Sequence, residues 1–215
     1  MIPPNVGEHD AELLRRAYGL TTEQERDRLY DDWAETYDQT MMDGLGYLSP
    51  IHLADEFAEH TPWRDRPVLD LGCGTGLVGK FLASHGFTAI DGLDLSDAMM
   101  GRAAARGVYG TFITADLTRP LPIADGTYAG AICSGTFTSG HVDASCLDEI
   151  ARILAPGGIF GASVNHAVWD ASGFAAGFAR LVATGIFEEV SVKESTYYQS
   201  STSTDGRHCV YRRVG

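Results

Sequence analysis

Val68-Leu69-Asp70-Leu71-Gly72-Cys73-Gly74-Thr75-Gly76-Leu77-Val78-Gly79 is the stretch whose reading decides the fold. An apolar run ends on an aspartate and opens into glycines at every second or third position, the pattern of strand, tight turn and helix start. Glycine lacks a Cβ, so it turns the chain sharply and lets a ligand touch backbone N–H groups beside a helix N-terminus.

Three cofactor motifs overlap on these residues. Gly74 to Lys80 spells most of a nucleotide triphosphate loop, but Phe81 stands where a Ser or Thr hydroxyl would hold magnesium. Gly74, Gly76 and Gly79 spell the dinucleotide fingerprint, and Asp94 follows at about the twenty-residue distance of a ribose-binding acid. Against it, Asp70 ends the strand beside the place of a pyrophosphate, and like charges at that range repel. Asp70-x-Gly72-x-Gly74-x-Gly76 spells the third pattern, that of S-adenosylmethionine (SAM) methyltransferases. SAM carries a sulfonium and an ammonium and no phosphate, so an acid there helps.

Outward from this stretch, strands and helices alternate, which predicts a parallel sheet covered on both faces. Strands are expected at Val68 to Leu71, Ala89 to Leu95, Tyr109 to Thr114, Tyr128 to Cys133 and Ile159 to Asn165. Helices are expected from Gly76 to His85, from the Ser96 cap to Arg106, from Asp143 to Leu154 and from Ala167 to Thr184. Phe187 to Tyr198 and His208 to Val214, with the Asp205-Gly206 turn signal between them, read as an antiparallel hairpin. The expected fold is α/β: a Rossmann-like doubly wound sheet, mostly parallel with an antiparallel C-terminal hairpin, plus N-terminal helices forming a lid. The organisation predicted is one compact domain, with residues 1–61 as a helical lid segment and 62–215 as the cofactor-binding core.

Glu8 to His60 has helical periodicity, with Thr21-Thr22 before Glu25 as a capping signal. Tyr30, Trp33 and Tyr37 fall on one face of the helix that follows. Such a stripe packs on the main domain or covers a ligand.

The chain has 215 residues, 44% hydrophobic, enough for one ordinary core. Its 16 basic against 29 acidic residues give a net charge of -13. Binding driven by counterion release needs a basic face, so the composition argues against a nucleic-acid partner. Cys73, Cys133, Cys146 and Cys209 form no CxxC, so neither a zinc site nor a disulfide framework is signalled. With no signal region and no long apolar run, the expectation is a cytoplasmic protein with no membrane partner, monomeric or homodimeric.

Asp70, Asp94 and Asp116 stand at three successive strand ends, where ligands of open α/β sheets bind. LDLGCGTG, GLDLS, TADL and the LAPGG turn resemble the successive motifs of class I SAM-dependent methyltransferases, over about Tyr30 to Gly161. Tyr30-Asp31-Asp32-Trp33-Ala34 with Tyr37-Asp38, and the loop Ser134 to Val142, are similar to the methyltransferase-like family named after the Williams-Beuren syndrome region. The resemblance implies that Gly72, Cys73, Gly74 and Gly76 wrap the methionyl part of SAM, with Asp70 near its ammonium through water. It implies that Asp94 accepts bonds from both ribose hydroxyls, that Leu95 and Met99 sandwich the adenine, and that Asp116 with the Leu117 amide reads its amino edge. Cys133 and Ser134 would meet the methionyl chain, and Tyr37 would close from the lid.

Methyl transfer is an in-line displacement, so positioning dominates and a base is needed only where the nucleophile keeps its proton. His141 and His166 are the candidate bases; His208 is expected to be structural. Tyr30, Trp33, Phe137, Asn165 and Trp169, with the two candidate bases, should line the acceptor pocket, an aromatic set that suits a small-molecule O, N or S acceptor. Two alternatives stand beside this enzyme: a non-catalytic SAM-binding regulatory or partner subunit, and an NAD(P)-binding oxidoreductase.

Overall fold

A computed structural model describes residues 8–19, 25, 28–30 and 33–215. Thr21 and Thr22 of the expected capping signal, with Asp31 and Asp32, lie outside the described residues. Seven strands, β1 (Val68–Leu71), β2 (Ile90–Asp94), β3 (Phe112–Thr114), β4 (Tyr128–Phe137), β5 (Leu154–Asn165), β6 (Phe187–Ser195) and β7 (Gly206–Arg213), form one sheet in the order β3-β2-β1-β4-β5-β7-β6. The first five pair in parallel, while β7 inserts antiparallel between β5 and β6. The expected mixed sheet with its antiparallel hairpin is therefore present.

Helices with both ends among the described residues are α1 (Glu8–Tyr18), α2 (Ser49–His60), α3 (Leu77–Ser84), α4 (Asp97–Ala104), α5 (Cys146–Ile153), α6 (His166–Trp169) and α7 (Phe174–Ala183), with a π-helical turn at Gln39–Gly44. Successive strand residues point to opposite faces, and two cores follow from that alternation. Val68, Ile132, Ile159 and Val210 face α2 and α3, meeting Leu53, Phe57, Val78 and Leu82. Leu69, Ala131, Phe160 and Cys209 face α5 and α7, meeting Leu147, Ile150, Phe178 and Leu181. The expected lid segment thus has two parts. Leu53 and Phe57 of α2 are fully buried on the sheet, and only what precedes α2 packs elsewhere, in a third cluster of Leu14, Leu29, Trp33 and Met41 with Tyr197 and Tyr198.

Two local expectations are corrected. The single helix from Ala167 to Thr184 is broken between α6 and α7, because Gly173 sits at φ 78°, a left-handed value that ends helical hydrogen bonding. The Asp205-Gly206 pair is not a tight hairpin turn. Asp205 Oδ2 accepts from the Tyr197 N–H at 2.8 Å and the Ser201 hydroxyl at 2.6 Å, which closes a longer loop. Gly206 already belongs to β7, where a Cβ would lie 2.3 Å from the Tyr197 hydroxyl, so the glycine serves a close approach. Among the described residues no helix is long and apolar enough to cross a membrane.

Candidate cofactor and acceptor site

The glycine turn follows β1 directly. Gly72, Gly74 and Gly76 take φ values of 68°, 51° and 84°, so the turn needs residues without a Cβ penalty. The Gly72 and Cys73 amides donate to the Leu93 carbonyl at 2.8 and 2.9 Å, tying the turn to β2. At the end of β2, Asp94 accepts from the Gly74 N–H at 2.8 Å with Oδ2 and from the Ser96 N–H at 3.0 Å with Oδ1. One carboxylate therefore holds two loops in register. Ser96 caps α4 as expected, accepting from the Met99 N–H at 3.2 Å.

Asp70 lies beneath this turn, fully buried. The Tyr109 hydroxyl donates to its Oδ2 at 2.7 Å and itself accepts from the Gly79 N–H at 3.1 Å. Burial, with a smaller contribution from the Asp94 charge, pushes the Asp70 carboxyl up to about 7. Its Oδ1 is buried with no partner among the described residues. Gly79 is a packing glycine, since a Cβ there would stand 2.3 Å from the Tyr109 hydroxyl.

A cleft with about 790 Å³ of empty space, counted out to its open mouth, lies beyond the carboxyl ends of β1, β2 and β4. This is where the strand order reverses, the expected ligand position in an open α/β sheet. Of the residues expected at the cofactor, Tyr37, Gly72, Gly74, Asp94, Leu95, Met99, Asp116, Leu117 and Ser134 line it. Asp70, Cys73, Gly76 and Cys133 stand behind that lining, and burial drives the Cys133 thiol well above its usual range. Ser96, Gly135, Thr136 and Val142 line the cleft without having been singled out. Thr136 lies near the end of β4, and its hydroxyl comes within 2.2 Å of where a Gly72 side chain would start. Asp116 also holds its own loop, accepting from the Thr118 N–H at 2.8 Å.

Tyr30 and Tyr37 of the aromatic stripe line this cleft, and the stripe also packs in the third cluster. Trp33 is 3% exposed, stacked 6.1 Å from Tyr30 and edge-on at 4.8 Å to Tyr37. Asp38, next in the chain, accepts from the Thr75 hydroxyl of the glycine turn and pairs with the Arg106 guanidinium. Arg106 also donates to the Thr75 carbonyl at 2.6 Å, so the stripe is tied to the glycine turn.

Tyr30 and His141 stand between this cleft and a second cavity, lining both. His141 Nδ1 is 3.0 Å from the Ser139 carbonyl, which can only accept, so the proton sits on Nδ1. Nε2 is then free to accept from the Tyr30 hydroxyl at 2.9 Å. Trp33, Phe137 and Asn165 line the second cavity with them, joined by Tyr47, Thr138, Ser163, Tyr197 and Tyr198, which the sequence did not single out. His166 and Trp169 line neither space. His166 pairs with Glu194 at 2.9 Å and Thr204 at 3.1 Å on the surface, and Trp169 packs beneath Arg207 and on Phe178. His208 is 2% exposed, bonded to the Ser49 hydroxyl at 3.1 Å, and burial pulls it down to about 4.

Residues 68–158 match the family described as "Methyltransferase domain". That segment, less than half of the chain, has the sequence pattern of a methyltransferase domain. The human Methyltransferase-like protein 27 is 32% identical over 149 residues, covering 68% of this chain and 60% of that protein. A bovine 18S rRNA (guanine-N(7))-methyltransferase is 40% identical over 70 residues, covering 32% of this chain and 25% of the relative, so the matches span only part of these relatives' lengths. Among solved structures, a chain of the complex between the Haloferax volcanii Trm112 methyltransferase activator and a methyltransferase superposes with a TM-score of 0.65 at 20% identity, over 86% of this chain and 98% of that one. The family match and the relatives agree on a methyltransferase domain, and the fold is shared with solved structures described as S-adenosylmethionine dependent methyltransferases at 21% and 17% identity.

These relatives correct the expectation about partners. A methyltransferase domain similar to this one belongs to enzymes named for rRNA, and a neighbour of the fold is held in a complex with a different protein. Exclusion of nucleic acid on net charge, and of any partner but a small molecule or a second copy, does not stand. Net charge governs long-range attraction, while the acceptor is chosen by the few residues around the transferred group, and another chain can supply the basic surface.

Proposed function

We propose that this chain binds SAM in the larger cleft and moves its methyl group to an acceptor seated in the adjoining cavity. The supporting observation is the grouping of three acids, from three successive strand ends, around or beneath one cleft that carries no lysine or arginine among its described lining residues. That donor-poor, acid-rich wall suits a ligand with ribose hydroxyls and a cationic tail; a dinucleotide pyrophosphate would meet only like charge.

In this reading Asp94, already fixed by two backbone amides, receives the ribose hydroxyls on its remaining lone pairs. Leu95 and Met99 flank the adenine, Asp116 and the Leu117 amide face its edge, and the unpartnered Asp70 oxygen receives the ammonium through water. Bound SAM supplies an electrophilic methyl on its sulfonium. The chain's part is to hold the acceptor in line and exclude water with the Tyr30, Trp33 and Tyr37 cover. Where the acceptor keeps a proton, Tyr30 passes its own to His141 Nε2 as it takes that of the acceptor.

The raised carboxyl of Asp70 gives a pH signature. A value raised on folding means that its contribution to stability is present below pH 4 and lost as pH rises through about 7. A cationic ligand favours the deprotonated form, so SAM affinity should rise on the order of tenfold between roughly pH 5.5 and 7. Calorimetric titration over that window checks it, with Asp70→Asn as the variant in which the slope disappears; an equal slope in both proteins removes Asp70 from the ligand.

The transfer itself is tested with labelled SAM, the purified protein, and separate RNA and low-mass fractions of a cell extract. S-adenosylhomocysteine should accumulate only when an acceptor fraction is present. Binding of SAM with no turnover in any fraction would leave the regulatory-subunit alternative in its place.

A further inference from the structure

The second cavity carries two observations that point to the chemistry of its occupant. Its described lining contains no Asp, Glu, Lys or Arg, and aromatic rings dominate it. Two side chains in that lining, Trp33 and Thr138, hold polar atoms that are buried without a partner among the described residues: the indole Nε1 and the hydroxyl Oγ1. Buried polar atoms are nearly always paired, so each unpaired one calls for a partner that arrives from elsewhere. An indole N–H can only donate, whereas a hydroxyl both donates and accepts.

We infer that this cavity takes an uncharged planar ring bearing a hydrogen-bond acceptor, a heteroaromatic or cyclic carbonyl group, stacked among the aromatic side chains and held by Trp33 Nε1–H and Thr138 Oγ1. The inference rests on reading the adjoining cleft as the cofactor site, because Tyr30 and His141, which line both spaces, then stand where the ring and the methyl donor meet. Neutrality follows from the cost of burying a charge with no counter-charge in the wall. Planarity follows from the rings, which gain most from a flat partner at stacking or edge-on distance. The same ring chemistry is available free or as the exposed base of an RNA, and the site recognises the ring in either source.

The test measures binding with saturating S-adenosylhomocysteine present, by ligand-observed NMR. The probes are 4-quinolone as the neutral ring, quinoline-4-carboxylate as the anion and N-methylquinolinium as the cation. We expect 4-quinolone to bind at least tenfold more tightly than either ion. Trp33→Phe and Thr138→Val should each weaken it several-fold, and the affinity for S-adenosylhomocysteine should hold in Thr138→Val. A guanosine-ended RNA oligonucleotide, compared with free guanosine as competitor, assigns the source of the ring. Equal binding of the charged probes, no binding of 4-quinolone, or retention of its affinity in both variants overturns the inference. Failure of the wild-type protein to bind S-adenosylhomocysteine, scored separately, sinks the cofactor reading instead.

Discussion

Asp94→Ala should lower SAM affinity by on the order of 100-fold, a loss of about 3 kcal/mol. The carboxylate accepts from the Gly74 and Ser96 amides, at 2.8 and 3.0 Å, and the residue lines the cleft. In the proposed SAM-binding reading, alanine removes the ribose acceptor and releases the glycine turn in one change, so the two losses add. Hydrogen bonds to a charged group contribute about 1.5 to 3 kcal/mol each, which puts the sum at this level. Titration with S-adenosylhomocysteine reads the affinity, and a melting curve separates it from unfolding. A change below threefold in a folded variant would place the ribose elsewhere.

Gly79→Ala should destabilise the fold by about 2 kcal/mol, against the usual sign for this substitution in a helix. Alanine in place of a helical glycine normally gains about 1 kcal/mol. Here the new Cβ would stand 2.3 Å from both the hydroxyl and Cζ of Tyr109. The tyrosine can give way only by leaving Asp70, whose other oxygen already lacks a partner. For a chain of this size the melting temperature should fall by roughly 4 to 8 °C. Adding Tyr109→Leu should recover part of that loss, because it removes the colliding atoms; strict additivity of the two changes would refute the packing account. Gly74→Ala differs in kind. A Cβ there meets nothing within 4 Å, yet φ is 51° and the amide is the one Asp94 holds, so its larger effect should be on cofactor affinity.

The glycine turn could be assigned from sequence because its requirements are local. Positive φ, an acid at the strand end and a second acid at the next strand end are each written into one short segment. The Tyr109 contact was not legible, since it joins residues 30 positions apart across the sheet and matches no motif. The same holds for the wall of the second cavity. Tyr47, Tyr197 and Tyr198 come from the segment before α2 and the loop after β6, which meet only in the folded chain. His166 shows the converse error. It follows β5 at the expected edge, but Glu194, Thr204 and Arg207 engage it on the surface, and position along a strand does not say which way the next side chain turns.

By itself the sequence determined the α/β sheet, the place of the glycine turn and the acids around it, because hydrophobic period and glycine spacing act over a few residues. Tertiary structure alone decided that α2 packs on the sheet, that Asp70 is buried against Tyr109, that Asp38 and Arg106 tie the aromatic stripe to the glycine turn, and that a second cavity, with no charged side chain among its described lining, adjoins the larger cleft. Those features depend on which distant segments share a surface, and burial, pairing and charge environment exist only once they do.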